Sequence, residues 1–146
     1  MLILIVVTPT SYTFDTEPEF TDGSMYKKLT DGIAASTYWS VGTKIESSSP
    51  WVTWRGKNPT IVLQFQGNVS ISSIMIHFQC DGVNFIYLPL SIVVGGVTTT
   101  LPDSNVNGWK EITGTWLCNT ISITLNTRYS GSRISISEIK LQSPGT

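Results

Sequence analysis

The sequence predicts an all-β domain built as an antiparallel β-sandwich, and three observations carry this prediction. The 146 residues include 16 Ile, 11 Val and 19 Thr, but only two Ala. β-branched side chains favour a half-buried pleated surface, whereas helices need Ala and unbranched residues. Apolar and polar residues alternate with a period of two, and Gly, Asn, Asp and Pro separate the alternating runs. A helical bundle is therefore excluded, and a sandwich of jelly-roll type is predicted.

Five runs are predicted as strands: 60–65, 73–78, 120–125 and 133–141, where the alternation is visible, and the apolar run 91–95. Their shared apolar faces give the predicted core, which is Ile61, Leu63, Phe65, Ile74, Ile76, Ile121, Ile123, Ile134 and Ile136. The apolar run 1–7 has no preceding Lys or Arg and no small-residue cleavage site after it, so it is predicted as a buried first strand. The whole chain, 1–146, is predicted to form one domain.

The alternation breaks inside the last strand. Ile134, Ile136 and Glu138 share one parity, whereas Ile139 and Leu141 have the other. Either Glu138 points into the core without a partner, or the strand bulges near residues 137–138 and turns the carboxylate outward. A carboxylate at a bulged sheet edge suggests a ligand there, such as a cation.

Composition excludes several function classes. The formal net charge is −1 and the chain has no basic block, so we expect no nucleic-acid partner and no electrostatic attachment to a membrane. No apolar run is long enough to insert as a helix. Cys80, Cys118 and the single histidine, His77, lack the spacing of a zinc site, and a disulfide between the two cysteines stays open. No nucleophile–base pair is visible, so the chain is not expected to be an enzyme.

Six motifs follow one another in the order and spacing of a discoidin-like domain, the coagulation factor 5/8 type C family. They are YKKLTDG (26–32), WVTWRG (51–56), PTIVLQF (59–65), ISSIMIH (71–77), LPLSIVV (88–94) and ISISEIKL (134–141). The chain therefore resembles that family, and it is similar to family 32 carbohydrate-binding modules. The resemblance implies a galactose-binding-like jelly roll with a five-stranded and a three-stranded sheet. It also implies binding, usually of sugars, rather than catalysis.

The resemblance further implies a structural calcium ion. Many sugar-binding members hold one between the Leu-Thr-Asp-Gly turn and a glutamate of the last strand, and Asp31 and Glu138 match those two positions. Calcium prefers six to eight oxygen ligands, which loop carbonyls and hydroxyls after Gly32 would complete. The alternative is that Asp31 caps a turn and Glu138 accepts backbone N–H bonds.

Sugar-binding relatives use loops at one end of the sandwich, with an aromatic ring stacked on the sugar. By position, the predicted ligand-binding residues here are Trp39, Trp51, Asp81, Asn84, Phe85, Arg128 and Tyr129. Trp39 and Trp51 lie in polar segments where an exposed indole suggests a function. Trp54 is predicted to pack in the core, and His77 to lie on the solvated outer face.

These predictions give a non-catalytic carbohydrate-binding or adhesion module. A lone module without an export signal suits the surface of a virus or phage particle that binds host glycans, outside the cell and in many copies, by self-association or within a larger assembly. The alternatives are a structural virion decoration or tail protein without a sugar ligand, and an excised module of a secreted glycosidase or adhesin. Binding to a glycan array separates the adhesion hypothesis from the decoration hypothesis.

Overall fold

The computed structural model describes residues 4–18, 28–36, 38 and 51–144. Within these ranges the strands, in chain order, are β1 (Leu4–Val7), β2 (Ser11–Phe14), β3 (Val52–Arg55), β4 (Thr60–Gln79), β5 (Ser91–Val94), β6 (Val97–Thr100), β7 (Gly108–Asn126) and β8 (Arg133–Pro144). Short 3-10 turns cover Lys28–Thr30 and Val83–Phe85. The predicted all-β class is confirmed.

Two long strands organise the sandwich. β4 has 20 residues and β7 has 19, and they run antiparallel to each other along most of their lengths. The strand order is β1-β8-β4-β7-β5-β6, with β2 beside the start of β4 and β3 beside the start of β8. Register shifts interrupt the β4–β7 ladder between Gln64 and Val69 and again between Ile71 and Ser73. Irregularities of this kind bend a strand, so β4 and β7 contribute to both layers of the sandwich.

The larger of two described hydrophobic clusters forms the core between the layers. All nine residues predicted for it are buried, and so is Trp54: Ile61, Leu63, Phe65, Ile74, Ile76, Ile121, Ile123, Ile134 and Ile136 belong to a single cluster with it. The period-two pattern therefore identified the inward face of each strand correctly. The core also contains Tyr12, whose buried hydroxyl accepts the backbone N–H of Leu29 at 3.0 Å.

The prediction of a buried first strand is half wrong. β1 forms and pairs with the end of β8, from Leu4 opposite Pro144 to Val7 opposite Leu141. However, Ile5 is 53% exposed and Val6 is 54% exposed. β1 pairs with a single described strand and lies at the edge of the order, so of Ile5, Val6 and Val7 only Val7 packs against the core.

The two cysteines are free thiols, which answers the question of a disulfide. Cys118 lies opposite Val69, whereas Cys80 follows the end of β4. At about 3.3 Å per strand residue, the two are on the order of 30 Å apart, well beyond the ~7 Å limit for a bridge. Within the described ranges, no helix has both the length and the apolar character needed to cross a membrane.

Candidate functional site: an aromatic ladder at the loop end

Three aromatic rings meet where the loop after β4 faces the loop before β8. Phe85 contacts Tyr87 edge to face, with ring centroids 5.4 Å apart and planes at 85°. Tyr87 contacts Tyr129 in the same way, at 4.9 Å and 74°. The two outer rings remain open to solvent, with Phe85 41% exposed and Tyr129 42% exposed. We call Phe85, Tyr87 and Tyr129 the aromatic ladder.

The backbone that presents Phe85 is unusual. Asn84 and Phe85 both have positive φ, at 55° and 62°, and Gly82, two residues before Asn84, has φ of 82°. Asn tolerates this left-handed region, whereas a bulky residue such as Phe rarely adopts it. The Arg133 side chain holds the loop, because its Nη1 donates to the Asn84 carbonyl at 2.8 Å. A strained conformation that exposes an aromatic ring is typical of binding loops.

Asp81, a predicted ligand residue, has both carboxylate oxygens engaged within the protein. Oδ1 accepts the Val83 N–H at 3.2 Å and the Gln79 side-chain amide at 3.1 Å. Oδ2 accepts the Asn107 amide at 3.0 Å, and Asn107 in turn accepts the Cys80 N–H at 2.7 Å. The structure therefore places Asp81 as the anchor of the loop that carries Asn84 and Phe85.

Arg128, also predicted to contact ligand, turns inward instead. Its guanidinium donates to the carbonyls of Leu88 and Pro89 at 3.2 Å each and to that of Leu101 at 2.6 Å. Its side chain is only 10% exposed. Nε and Nη2 of Arg128 are occupied by these three backbone acceptors, and its predicted contact with a ligand stays a prediction. Arg128 ties together the loops beneath the aromatic ladder.

Tyr129 has a polar partner that the sequence analysis missed. Its hydroxyl donates to Asp103 Oδ2 at 2.6 Å, and this hydrogen bond raises the pKa of Tyr129. Asp103 lies on the segment between β6 and β7, 26 residues earlier in the chain. Nothing in the pattern around Asp103 indicates this contact. Tyr87, in contrast, lies two residues after Phe85, a spacing that could have placed both rings on one side.

A second aromatic cluster covers the outer face of the sheet around His77. The Trp51 ring stacks on His77 at 5.5 Å and 18°, and Trp109 meets His77 edge to face at 5.1 Å. Tyr38 donates or accepts a hydrogen bond at His77 Nε2, 3.2 Å away. His77 is therefore on the outer face, as predicted, but it is buried rather than solvated, and burial lowers its pKa.

This cluster contradicts the predicted exposure of Trp51, because its side chain is only 1% exposed. The predicted contact of Trp51 with a ligand stays a prediction. The polar residues around Trp51 in the sequence led to the prediction that its indole is exposed. They give no information on His77, which lies 26 residues further along the chain. Trp39 lies outside the described residues, so its predicted role stays a prediction.

Of the two alternatives for the last strand, the structure shows the bulge. Glu138 lies opposite His77, but Ile136 lies opposite Phe78, so Ser137 is the extra residue on β8. The extra residue restores the inward orientation of Ile139 while turning the Glu138 carboxylate outward. Ser137 Oγ accepts the Ala35 N–H at 3.0 Å and lies 2.7 Å from His77 Nδ1.

The two candidate cation ligands, Asp31 and Glu138, lie close to each other. Glu138 Oε2 accepts the Gly32 N–H at 2.8 Å, which places the turn at Asp31 directly over it. Its Oε1 is buried and has no hydrogen-bond partner among the described residues. Burial raises the pKa of Glu138 to about 8, and the neighbouring Asp31 carboxylate adds to the rise. Both residues line a cavity of about 500 Å³.

Among the described residues near Glu138, few other side chains are of the kinds that bind metal ions. In the part of the chain that the structure describes, no three His, Cys, Asp or Glu residues group together as a metal site. Asp31 Oδ1 accepts the Ile33 N–H at 2.9 Å, so this carboxylate also caps its own turn. Both contacts named in the alternative to a cation site, a turn cap by Asp31 and a backbone N–H accepted by Glu138, are thus present in the geometry.

Comparisons with known proteins locate the fold. The sequence matches no family model, and no curated protein matches it. Solved structures do match. The family 32 carbohydrate-binding module of C. perfringens NanJ, solved with galactose, is 16% identical over 97% of this chain and 100% of that chain, with a TM-score of 0.58. The lectin domain of lectinolysin, solved with Lewis B antigen, is 11% identical over 92% of each chain, with a TM-score of 0.64.

A third match shows the fold as part of a larger protein. A truncated AlyQ with family 32 module and alginate lyase domains is 10% identical and aligns with 100% of this chain, with a TM-score of 0.59. This chain covers 35% of that chain's length. At such identities the matches establish architecture, and they agree with the antiparallel sandwich built above. The chain has the antiparallel β-sandwich fold of the family 32 carbohydrate-binding module of NanJ and of the lectin domain of lectinolysin.

Proposed function

We propose that this chain is a non-catalytic carbohydrate-binding module whose ligand stacks on the aromatic ladder. The observation that carries the proposal is the exposure of Phe85 and Tyr129 at the loop end of this fold. Exposed rings that a strained backbone holds in place are costly unless they bind something. A hexose has one apolar face and a rim of hydroxyls, which suits a flat ring with polar groups beside it.

The Ser137–His77 pair has the geometry of a catalytic pair, but its burial favours a binding role for the chain. Its 2.7 Å separation would suit a nucleophile and a base. However, Ser137 is 1% exposed and accepts the Ala35 N–H, so a substrate cannot reach its hydroxyl in this conformation. The pair holds the segment before Tyr38 against the sheet.

We propose that the module works in many copies at an outer surface, such as a cell surface or a virion. Stacking on two exposed rings with a few hydrogen bonds supports only roughly millimolar affinity for one sugar. Display in many copies would raise the effective concentration and make such a site useful. A module of a secreted glycosidase or adhesin would benefit in the same way, and the gene neighbourhood distinguishes these settings.

We also propose that Asp31 and Glu138 hold a calcium ion. The unpartnered Glu138 Oε1 supports this, because a cation would supply the partner that the described part of the protein does not. When bound, the ion would neutralise the two carboxylates and fix the turn at Asp31 to β8. Thermal unfolding tests it: calcium should raise the melting temperature of wild type and leave Glu138→Gln unchanged. Equal responses of both proteins would reject the site.

The carbohydrate proposal is tested with a multivalent form of the protein on a broad glycan array. Positive glycans are then titrated against Phe85→Ala and Tyr129→Ala. Each variant should weaken binding about 5- to 30-fold, the effect of losing one stacked ring. Leu117→Ala is the matched control, because Leu117 is also exposed but lies on β7 away from the ladder.

Melting temperatures of all three variants should stay close to wild type, because the truncated side chains are exposed. If the protein binds no glycan on the array, the carbohydrate proposal fails and a structural decoration role replaces it. If Leu117→Ala weakens binding as much as the ladder variants, the ladder is not the site.

A further inference from the structure

Asp103 stands at the rim of the aromatic ladder with one oxygen still available. Its Oδ2 accepts the Tyr129 hydroxyl at 2.6 Å, whereas its Oδ1 forms a salt bridge with Arg128 Nε at 3.9 Å, a separation that leaves its lone pairs open to a hydrogen-bond donor. The side chain is 48% exposed. A carboxylate oxygen accepts bonds but never donates when ionised, so Oδ1 offers lone pairs to any donor that lies on the Tyr129 ring.

The other described charged groups close to the ladder make contacts within the protein. Arg128 donates from Nε and Nη2 to three backbone carbonyls and pairs with Asp103, and both oxygens of Asp81 are engaged by the loop. Arg133 donates to the Asn84 carbonyl, and Lys110 donates to the Val106 carbonyl at 3.2 Å. The charged groups that act on the Tyr129 hydroxyl are Asp103 and Arg128. Of these two, Asp103 is the exposed one.

We infer that Asp103 is the specificity-determining residue of the site: it selects sugars that offer hydroxyl or ammonium donors and disfavours sugars that carry a carboxylate. This inference rests on the proposed carbohydrate-binding function and names its ligand class. A hydrogen bond to a carboxylate is roughly twice as strong as one between neutral groups. An anionic sugar would instead place like charge beside Asp103, which weakens binding.

Asp103 also orients Tyr129, so the test must separate orientation from ligand contact. Asp103→Asn keeps an oxygen that can accept the Tyr129 hydroxyl, but it removes the charge. Tyr129→Phe keeps the ring and the charge, but it removes the hydrogen bond between them. If Asp103 contacts the ligand, Asp103→Asn is the more damaging of the two. If Asp103 only positions Tyr129, Tyr129→Phe is the more damaging.

The probes are matched sugars that differ in charge, each displayed on a polymer: galactose, galactosamine and galacturonic acid, and the same three with glucose stereochemistry. Wild type should bind the neutral and amino sugars of the preferred series at least about fivefold better than the uronic acid. Asp103→Asn should lose about tenfold on those two sugars, the effect of one charge-assisted hydrogen bond, and should narrow the gap to the uronic acid. Tyr129→Phe should lose less than about threefold.

Glu111→Gln is the matched control, because it removes the same charge from an exposed residue on β7 whose carboxylate bonds Ser73. It should leave the order of the three sugars unchanged. Uronic acid binding equal to neutral sugar binding, or an Asp103→Asn variant that binds like wild type, would overturn the inference alone. If wild type binds none of the conjugates and the broad array is empty, the proposed function falls and the inference falls with it.

Discussion

Glu138→Gln should change how the stability of the protein depends on pH. Glutamine keeps an oxygen for the Gly32 N–H, so the bond at 2.8 Å can persist while the ionisable group disappears. In wild type, the folded-state pKa of Glu138 is about 8, against an ordinary value of 4.5. Between those two values the unfolded chain loses the proton while the folded protein keeps it. Wild-type stability therefore falls as pH rises through this window, and the Glu138→Gln variant lacks this contribution.

The size of the effect follows from the pKa difference. Each pKa unit corresponds to about 1.4 kcal/mol, so complete ionisation of Glu138 costs the folded state on the order of 5 kcal/mol. The side chain is 4% exposed, which means that solvent screens this cost little. A protein of this size changes its melting temperature by about 3 °C per kcal/mol, which predicts a difference of about 10–15 °C above roughly pH 8.

The assay is thermal or urea unfolding of both proteins from about pH 4.5 to about pH 9 in the presence of a chelator. His77 contributes with the opposite sign, because burial lowers the pKa of this base and its neutral form is favoured as pH rises. The difference between the two proteins removes that contribution, since both contain His77. The free-energy difference should be smallest near pH 4.5 and should grow toward pH 8, the two pKa values of Glu138. Parallel curves for wild type and Glu138→Gln would refute the reasoning.

Two further predictions concern stability. Tyr12→Phe should lower the free energy of unfolding by about 1–3 kcal/mol in urea titrations, because it leaves the buried Leu29 N–H without its acceptor; an unchanged midpoint would contradict this. Gly95→Ala should destabilise the protein by more than Gly96→Ala, because both glycines have positive φ but only a Cβ at Gly95 would approach Trp116, at 3.0 Å. Equal melting temperatures of these two variants would show that Trp116 moves aside freely.

The parts of the structure that follow from local periodicity were predictable. Inward and outward faces alternate within a strand whatever lies across from it, so residues such as Ile61 and Ile123 could be placed in the core from sequence alone. The same rule indicated either a bulge near residues 137–138 or an inward Glu138, and the structure shows the bulge, at Ser137.

The candidate site was less predictable because its geometry depends on contacts between distant loops. Phe85 and Tyr129 were placed at the loop end correctly, as positions between strands. The direction of Arg128, in contrast, depends on three carbonyls from two other segments, and the burial of Trp51 depends on His77 across the sheet. The contact between Asp103 and Tyr129 joins two loops that lie 26 residues apart in the chain, so the sequence pattern did not indicate it.

The pairing of β1 with β8 has a consequence for how the module can be attached to other proteins. Leu4 and Pro144 are direct partners, so the chain enters and leaves the described domain at one corner. β8 begins at Arg133, beside the loop that carries Phe85, and its 12 residues extend about 35 Å from there to that corner. A fusion partner or a particle joined at either terminus would therefore sit at the far end of the domain, leaving the aromatic ladder directed away from its carrier.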